Sequence, residues 1–175
     1  MVSGFRDPIA RAVAEFFQVC GWAYPWVLEG ESVSLEKAHS FLFSEISNQG
    51  SLLTKAWSWF ETELGLVFGV DPLTHPFDRS RGWEILDTGN VRLLLYRMEA
   101  LDSVFREGLL EFAGLDRPLT PRRANSGTKK KSGSAYQAVL FRLRFPRELC
   151  EKVYSHPLVR HFYPETMTSD LCERW

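Results

Sequence analysis

The chain has 175 residues, 45% of them apolar, and a formal net charge of −1. That length suits a single domain-sized unit, 1–175, with a sizeable core, and the near-neutral balance excludes a whole-surface nucleic-acid field. No apolar run reaches the length of a membrane span, and three scattered cysteines (Cys20, Cys150, Cys172) form neither a disulfide framework nor a zinc pattern, which favours a reducing, cytoplasmic setting and no metal.

Arg6-Asp7-Pro8 opens the first element. Asp caps orphan N–H groups and Pro fits the first helical position, so a helix is predicted from Pro8. Ala10, Val13, Ala14 and Phe17 then recur at helical spacing. Arg6 stands just ahead of that start and Arg11 within its first turn or so. A helix N-terminus flanked by arginines offers free N–H groups, a favourable dipole and guanidinium forks to an anion. Gly21 to Trp26 reads as a turn closed by Pro25.

Ser34 is placed to cap a helix over Leu35 to Ile46, which Asn48-Gln49-Gly50 breaks. Ser51 starts the next, with Leu53, Trp57, Phe60 and Leu64 as its apolar stripe and Gly65 or Gly69 as its end. Asp71 to Asp78 is a loop by its two prolines, and His75 within it is read as a structural hydrogen-bonder. Trp83–Leu86 and Val91–Tyr96 are predicted strands joined by the hairpin signal Asp87-Thr88-Gly89-Asn90. The second is apolar almost throughout, as in a strand covered on both faces. It passes into a helix burying Leu101, Val104, Phe105, Leu109 and Phe112, with Gly114 as C-cap.

Residues 117–134 form a basic, glycine-containing loop with Arg122, Arg123 and Lys129, Lys130, Lys131. Loops of this kind are solvated, and they can also close over a phosphate. No aromatics interleave with its charges, which argues against nucleic acid. Ser134-Ala135-Tyr136-Gln137 reads as a capping box for a helix to about Arg144. Pro146 opens another, Arg147 to Tyr154. The remainder, with His156 and His161, is compact and aromatic, and both histidines are read as structural because no third ligand stands at metal spacing.

Arg6-Asp7-Pro8-x-x-Arg11 leading into an aromatic helix resembles the 3′-phosphate-binding segment of sulfotransferases. There the Arg, with a Ser eight residues later, holds the 3′-phosphate of the donor 3′-phosphoadenosine 5′-phosphosulfate (PAPS). Ala14 stands at that second position here, so one hydroxyl donor is missing. The strand that ends Tyr96-Arg97-Met98-Glu99-Ala100-Leu101 and the helix closing on Phe112-Ala113-Gly114-Leu115 resemble the late strand and helix of the same enzymes. Gly69-Val70-Asp71, His75-Pro76-Phe77-Asp78, Val153-Tyr154 and His161-Phe162-Tyr163 narrow the likeness to the bacterial capsular polysaccharide synthesis family of that group. It runs from about Phe5 to Tyr163, although the family's "NKWYS"-like wording before its late Tyr is not intact.

The resemblance implies an α/β, partial P-loop-like sulfotransferase fold, mostly helical with a small sheet or hairpin. It implies PAPS as donor, a glycan or polysaccharide hydroxyl as acceptor, and donor contacts from Arg6, Arg11 and Lys129 to Lys131. Sulfotransferases place their first strand, their 5′-phosphosulfate loop and their catalytic base ahead of the Arg-Asp-Pro segment. Five residues precede Arg6 here, so the likeness implies a C-terminal part, truncated or weakly active, needing a missing N-terminal segment or a second copy. The alternative is a non-catalytic interaction module of the same descent.

Overall fold

The computed structural model describes residues 1–30, 32–120 and 133–175. Strand β1 (Val2–Phe5) runs straight into helix α1 (Pro8–Ala23), which takes in Gly21, Trp22 and Ala23, expected to be part of a turn, and stops only before Pro25. A two-residue ladder, β2 (Leu28–Glu29) against β3 (Ser32–Val33), leads to α2 (Leu35–Ser47). Ser34 does stand at the N-cap of α2, but its hydroxyl makes no capping bond. Helix α3 (Ser51–Phe60) is capped instead by the preceding helix: Glu45 Oε2 accepts from Leu52 N–H at 3.1 Å. It widens into a π turn (Glu61–Gly65) and closes with α4 (Leu66–Phe68) on Gly69, which adopts φ 67°.

The hairpin forms where Asp87-Thr88-Gly89-Asn90 signals it, with β4 (Trp83–Asp87) antiparallel to β5 (Arg92–Arg97). The helix expected next is a composite: a 3₁₀ turn (Met98–Ala100), α5 (Leu101–Ser103), a π turn (Val104–Gly108) and α6 (Leu109–Ala113), ended by Gly114 at φ 62°. Helix α7 (Gly133–Arg142) is already running at Gly133, so Ser134 lies inside it and not at its cap. It ends two residues short of Arg144, because the approach to Pro146 disfavours helix. Helices α8 (Arg147–Tyr154), α9 (Pro157–Phe162) and α10 (Glu165–Arg174) complete the chain.

The architecture is mostly helical around a small mixed sheet of order β1-β5-β4. Strand β1 was not expected from the sequence. Val-Ser-Gly-Phe carries no alternation of its own, and becomes a strand by lying parallel to β5, with Val2 opposite Leu94 and Phe5 opposite Arg97. Central β5 is covered on both faces: Leu93 and Leu95 join the main core with α1, and Leu94 joins Trp83 and Val104 under the composite helix. Its near-continuous apolar run therefore has the cause the sequence suggests. In α1, Ile9, Ala12, Val13 and Phe16 are fully buried, and the helix rests on α2, α3 and α7. Phe162 of α9 stacks on Phe5 and Phe60 at 5.0 and 5.3 Å, tying the last third of the chain to its first strand.

Candidate functional site

Helices α1 and α3 present polar stripes to one another. On α1 the stripe is Arg11, Ala14, Glu15 and Gln18, and on α3 and the π turn that continues it, Lys55, Ser58, Trp59 and Thr62. With Arg6 from the β1–α1 junction, these residues line an open cleft of about 610 Å³. Spacings of three, four and seven put each set on one helical face. Of the apolar stripe expected here, Leu53, Phe60 and, in the π turn, Leu64 are buried on the other side, and Trp57 is half-buried.

The cleft is cationic, with one internal carboxylate. Lys55 Nζ donates to Glu15 Oε1 at 2.7 Å, and Arg11 Nη2 lies 3.8 Å from Glu15 Oε2. Arg11 Nη1 is shielded from water and bonds to no atom of the described residues. Burial lowers the Arg11 pKa, partly countered by Glu15. Lys55 is shifted up by its hydrogen bond to Glu15 and the charge behind it. The rim carries Trp59, 43% exposed, whose indole N–H donates to Ser3 Oγ at 3.4 Å.

The helix start itself is not the anion mouth that the Asp-Pro motif suggests. Asp7, Pro8, Ile9 and Ala10 are all buried. Asp7 Oδ1 accepts from Ile9 N–H at 3.0 Å and from the Tyr154 hydroxyl at 3.0 Å, and Oδ2 accepts from the Trp175 indole at 2.9 Å. The Asp7 amide donates to Glu99 Oε1 at 3.3 Å, and Glu99 Oε2 accepts from the Tyr163 hydroxyl at 2.8 Å. Desolvation raises the Asp7 pKa against the opposing pull of Trp175 and Tyr154. The cap's own carboxylate thus occupies the dipole end, and an incoming anion is left with the side of the helix.

Arg6 and Arg11 therefore share one cleft, and Ala14 lines it with them. Lys129, Lys130 and Lys131 lie outside the described residues. Lys55, Glu15 and Trp59 escaped the sequence reading, which followed only the buried face of α3. The complementary periodicity, Lys55, Ser58, Trp59 and Thr62, was the signal that could have found them.

A second cleft of about 670 Å³ lies among α8, α9 and α10, lined by Arg79, Arg147, Arg160, Glu151, Glu165 and Glu173 among others. Arg147 pairs with Glu151 at 2.7 Å and Arg79 Nη1 donates to the Arg160 carbonyl at 3.3 Å, and the lining arginines and glutamates balance, so the cleft is polar without being strongly charged. His156 is structural, as its sequence setting implies: Nδ1 accepts from Leu158 N–H at 3.3 Å, and the ring stacks on Trp57 at 3.9 Å. Cys150 is fully buried with its thiol pushed up to about 11, so it supplies no thiolate near neutrality. Among the described residues, no group of three or more His, Cys, Asp or Glu is placed to hold a metal ion. No helix among them is long and apolar enough to cross a membrane.

Compared with known proteins, residues 32–164 match the model of the NKWYS family, described as "Putative capsular polysaccharide synthesis protein". The match covers more than half of the chain and contains Lys55 and Lys129 to Lys131, while Arg6, Arg11 and Glu15 lie ahead of it. No curated protein and no solved structure matches.

Proposed function

The chain belongs to this capsular polysaccharide synthesis family, and from that premise we propose that it serves PAPS-dependent transfer of a sulfuryl group to a glycan hydroxyl, holding the donor's 3′-phosphate between Arg6 and Arg11. One observation carries the reading. The three positions at which the chain resembles or departs from the sulfotransferase phosphate motif, Arg6, Arg11 and Ala14, line a single cleft. Helical spacing alone puts Arg11 and Ala14 on one face; what the fold adds is α3 opposite them and Arg6 at the end of that face, so that the face becomes one wall of a cleft.

PAPS brings the activated sulfuryl group. The chemistry left to the protein is positioning and charge neutralisation. Two guanidinium forks suit a dianionic ribose phosphate because each delivers paired N–H donors in a fixed plane. Lys129 to Lys131 belong to the same reading as further point charges. The acceptor hydroxyl needs a base within hydrogen-bond reach. Asp7 and Glu99 are already committed to Trp175, Tyr154 and Tyr163, so neither is assigned that role. The described residues are given donor binding, and turnover by them alone is expected to be slow.

Calorimetric titration with adenosine 3′,5′-bisphosphate tests this. Binding is expected, weakened about tenfold or more by Arg6→Ala and by Arg11→Ala, since each removes charge-assisted hydrogen bonds. No heat from the native protein, or unchanged affinity in both variants, removes the proposal. A second reading, a non-catalytic interaction module, rests on exposed apolar side chains: Leu66 is 79%, Val67 63% and Phe141 80% exposed. Self-association in light scattering, together with no nucleotide binding, would favour it.

A further inference from the structure

We propose that Glu15 is a built-in competitor of the cleft: it holds Lys55 and Arg11 while the site is empty, and a phosphate-bearing ligand displaces it, so that Lys55 becomes the third cation on the bound anion. The occupant's chemistry rests on the reading above; the competition does not.

The geometry supplies the parts. Among the described residues, Glu15 is the one carboxylate lining a cleft that also carries Arg6, Arg11 and Lys55. Its two oxygens are divided between two of those cations, Oε1 to Lys55 at 2.7 Å and Oε2 toward Arg11 at 3.8 Å. The Arg11 contact is too long for a good hydrogen bond, and Arg11 Nη1, shielded from water, has no partner among the described residues. Arg11 thus carries unused hydrogen-bonding capacity, a cost that an acceptor with several oxygens relieves when the guanidinium turns toward the cleft. Lys55 is long, exposed and anchored only at its tip, so it can turn from a carboxylate to a phosphate without disturbing α3.

The arrangement also carries selectivity. A monoanion exchanges for Glu15 with little change of charge around the cations. A phosphate dianion with three free oxygens gives Arg6, Arg11 and Lys55 more than Glu15 returns. The site should therefore discriminate against carboxylates and chloride, which are abundant, in favour of phosphate monoesters.

The experiment is calorimetry with inorganic phosphate and with adenosine 3′,5′-bisphosphate on the native protein, Glu15→Gln, Lys55→Ala and the double variant, with melting curves to show that each folds. Glu15→Gln is expected to tighten both ligands about two- to fivefold, the range of a partly exposed ion pair removed as competitor. Lys55→Ala is expected to weaken both about tenfold, and Glu15→Gln should gain less in that background because one of its two captives is gone. If Glu15→Gln leaves affinity unchanged or lowers it, the competitor role is overturned. If Lys55→Ala changes neither ligand, the third cation is overturned. The nucleotide reading fails separately: phosphate would follow the expected pattern while adenosine 3′,5′-bisphosphate bound no tighter than phosphate. Conversely, bisphosphate binding that needs Arg6 and ignores Glu15 keeps the nucleotide and removes the competitor.

Discussion

Ala14 shows how much a single side chain decides in the α1–α3 cleft. It stands eight residues after Arg6, where the sulfotransferase likeness puts a hydroxyl, and its methyl group lines the cleft between Arg11 and Gln18. Ala14→Ser would add a donor to that wall. Adenosine 3′,5′-bisphosphate is expected to bind about three- to tenfold tighter, the net yield of one ordinary hydrogen bond, with a melting temperature lowered slightly by the poorer helix propensity of Ser. Calorimetry reads the first and a thermal melt the second. Unchanged affinity would mean that no phosphate rests against residue 14. At this scale the sequence showed the arginines and hid their partners. Arg6 and Arg11 stand out because they flank an Asp-Pro start. Lys55 and Glu15 are ordinary charges on two helices forty residues apart, and only packing reveals that they meet.

Strands and helices were legible wherever a local rule sufficed. The Asp87-Thr88-Gly89-Asn90 hairpin and the Pro146 start of α8 needed nothing beyond turn and proline chemistry. Strand β1 was invisible because its conformation is imposed by β5, some ninety residues downstream. The long helix after β5 was expected to be regular, and the π turn at Val104–Gly108 interrupts it. There Gly108 lies against the ring of Trp83, where an added Cβ would come within 3.1 Å of the indole. Another glycine at the start of the hairpin is more demanding. Gly82 holds φ 79°, its carbonyl accepts from Arg97 N–H at 2.8 Å, and a Cβ on it would lie 2.6 Å from Ala100 Cβ and 2.8 Å from Arg97 Nη2. Gly82→Ala is expected to cost about 1–3 kcal/mol through backbone strain and overpacking, seen as a lowered urea midpoint. A neutral result would show that β4 shifts freely against the Met98–Ala100 turn.

Across the whole molecule, the residue that holds the parts together is Asp7. Its carboxylate joins the start of α1 to Tyr154 in α8 and to Trp175 at a separation of 168 residues. Burial holds its pKa above the usual carboxylate range. The unfolded chain therefore releases this proton at a lower pH than the folded one. Between those two values the folded state binds more protons, so Asp7's contribution to stability falls as pH rises through that window and is level beyond it. Asp7→Asn removes the titration. The stability of native protein relative to Asp7→Asn, from urea unfolding at a series of pH values, is expected to decline from the acid side upward. A difference independent of pH would mean that Asp7 titrates alike in both states.

The Asp7–Trp175 bond also bears on how the protein is made. A ribosome emits Asp7 early, and the indole that satisfies it comes 168 residues later. Throughout that interval α1 can form only with its cap carboxylate still hydrated, because burying it without its distant partners leaves a charge uncompensated. The full set of partners around the Asp7 carboxylate is therefore complete only once the segment through residue 175 has been made.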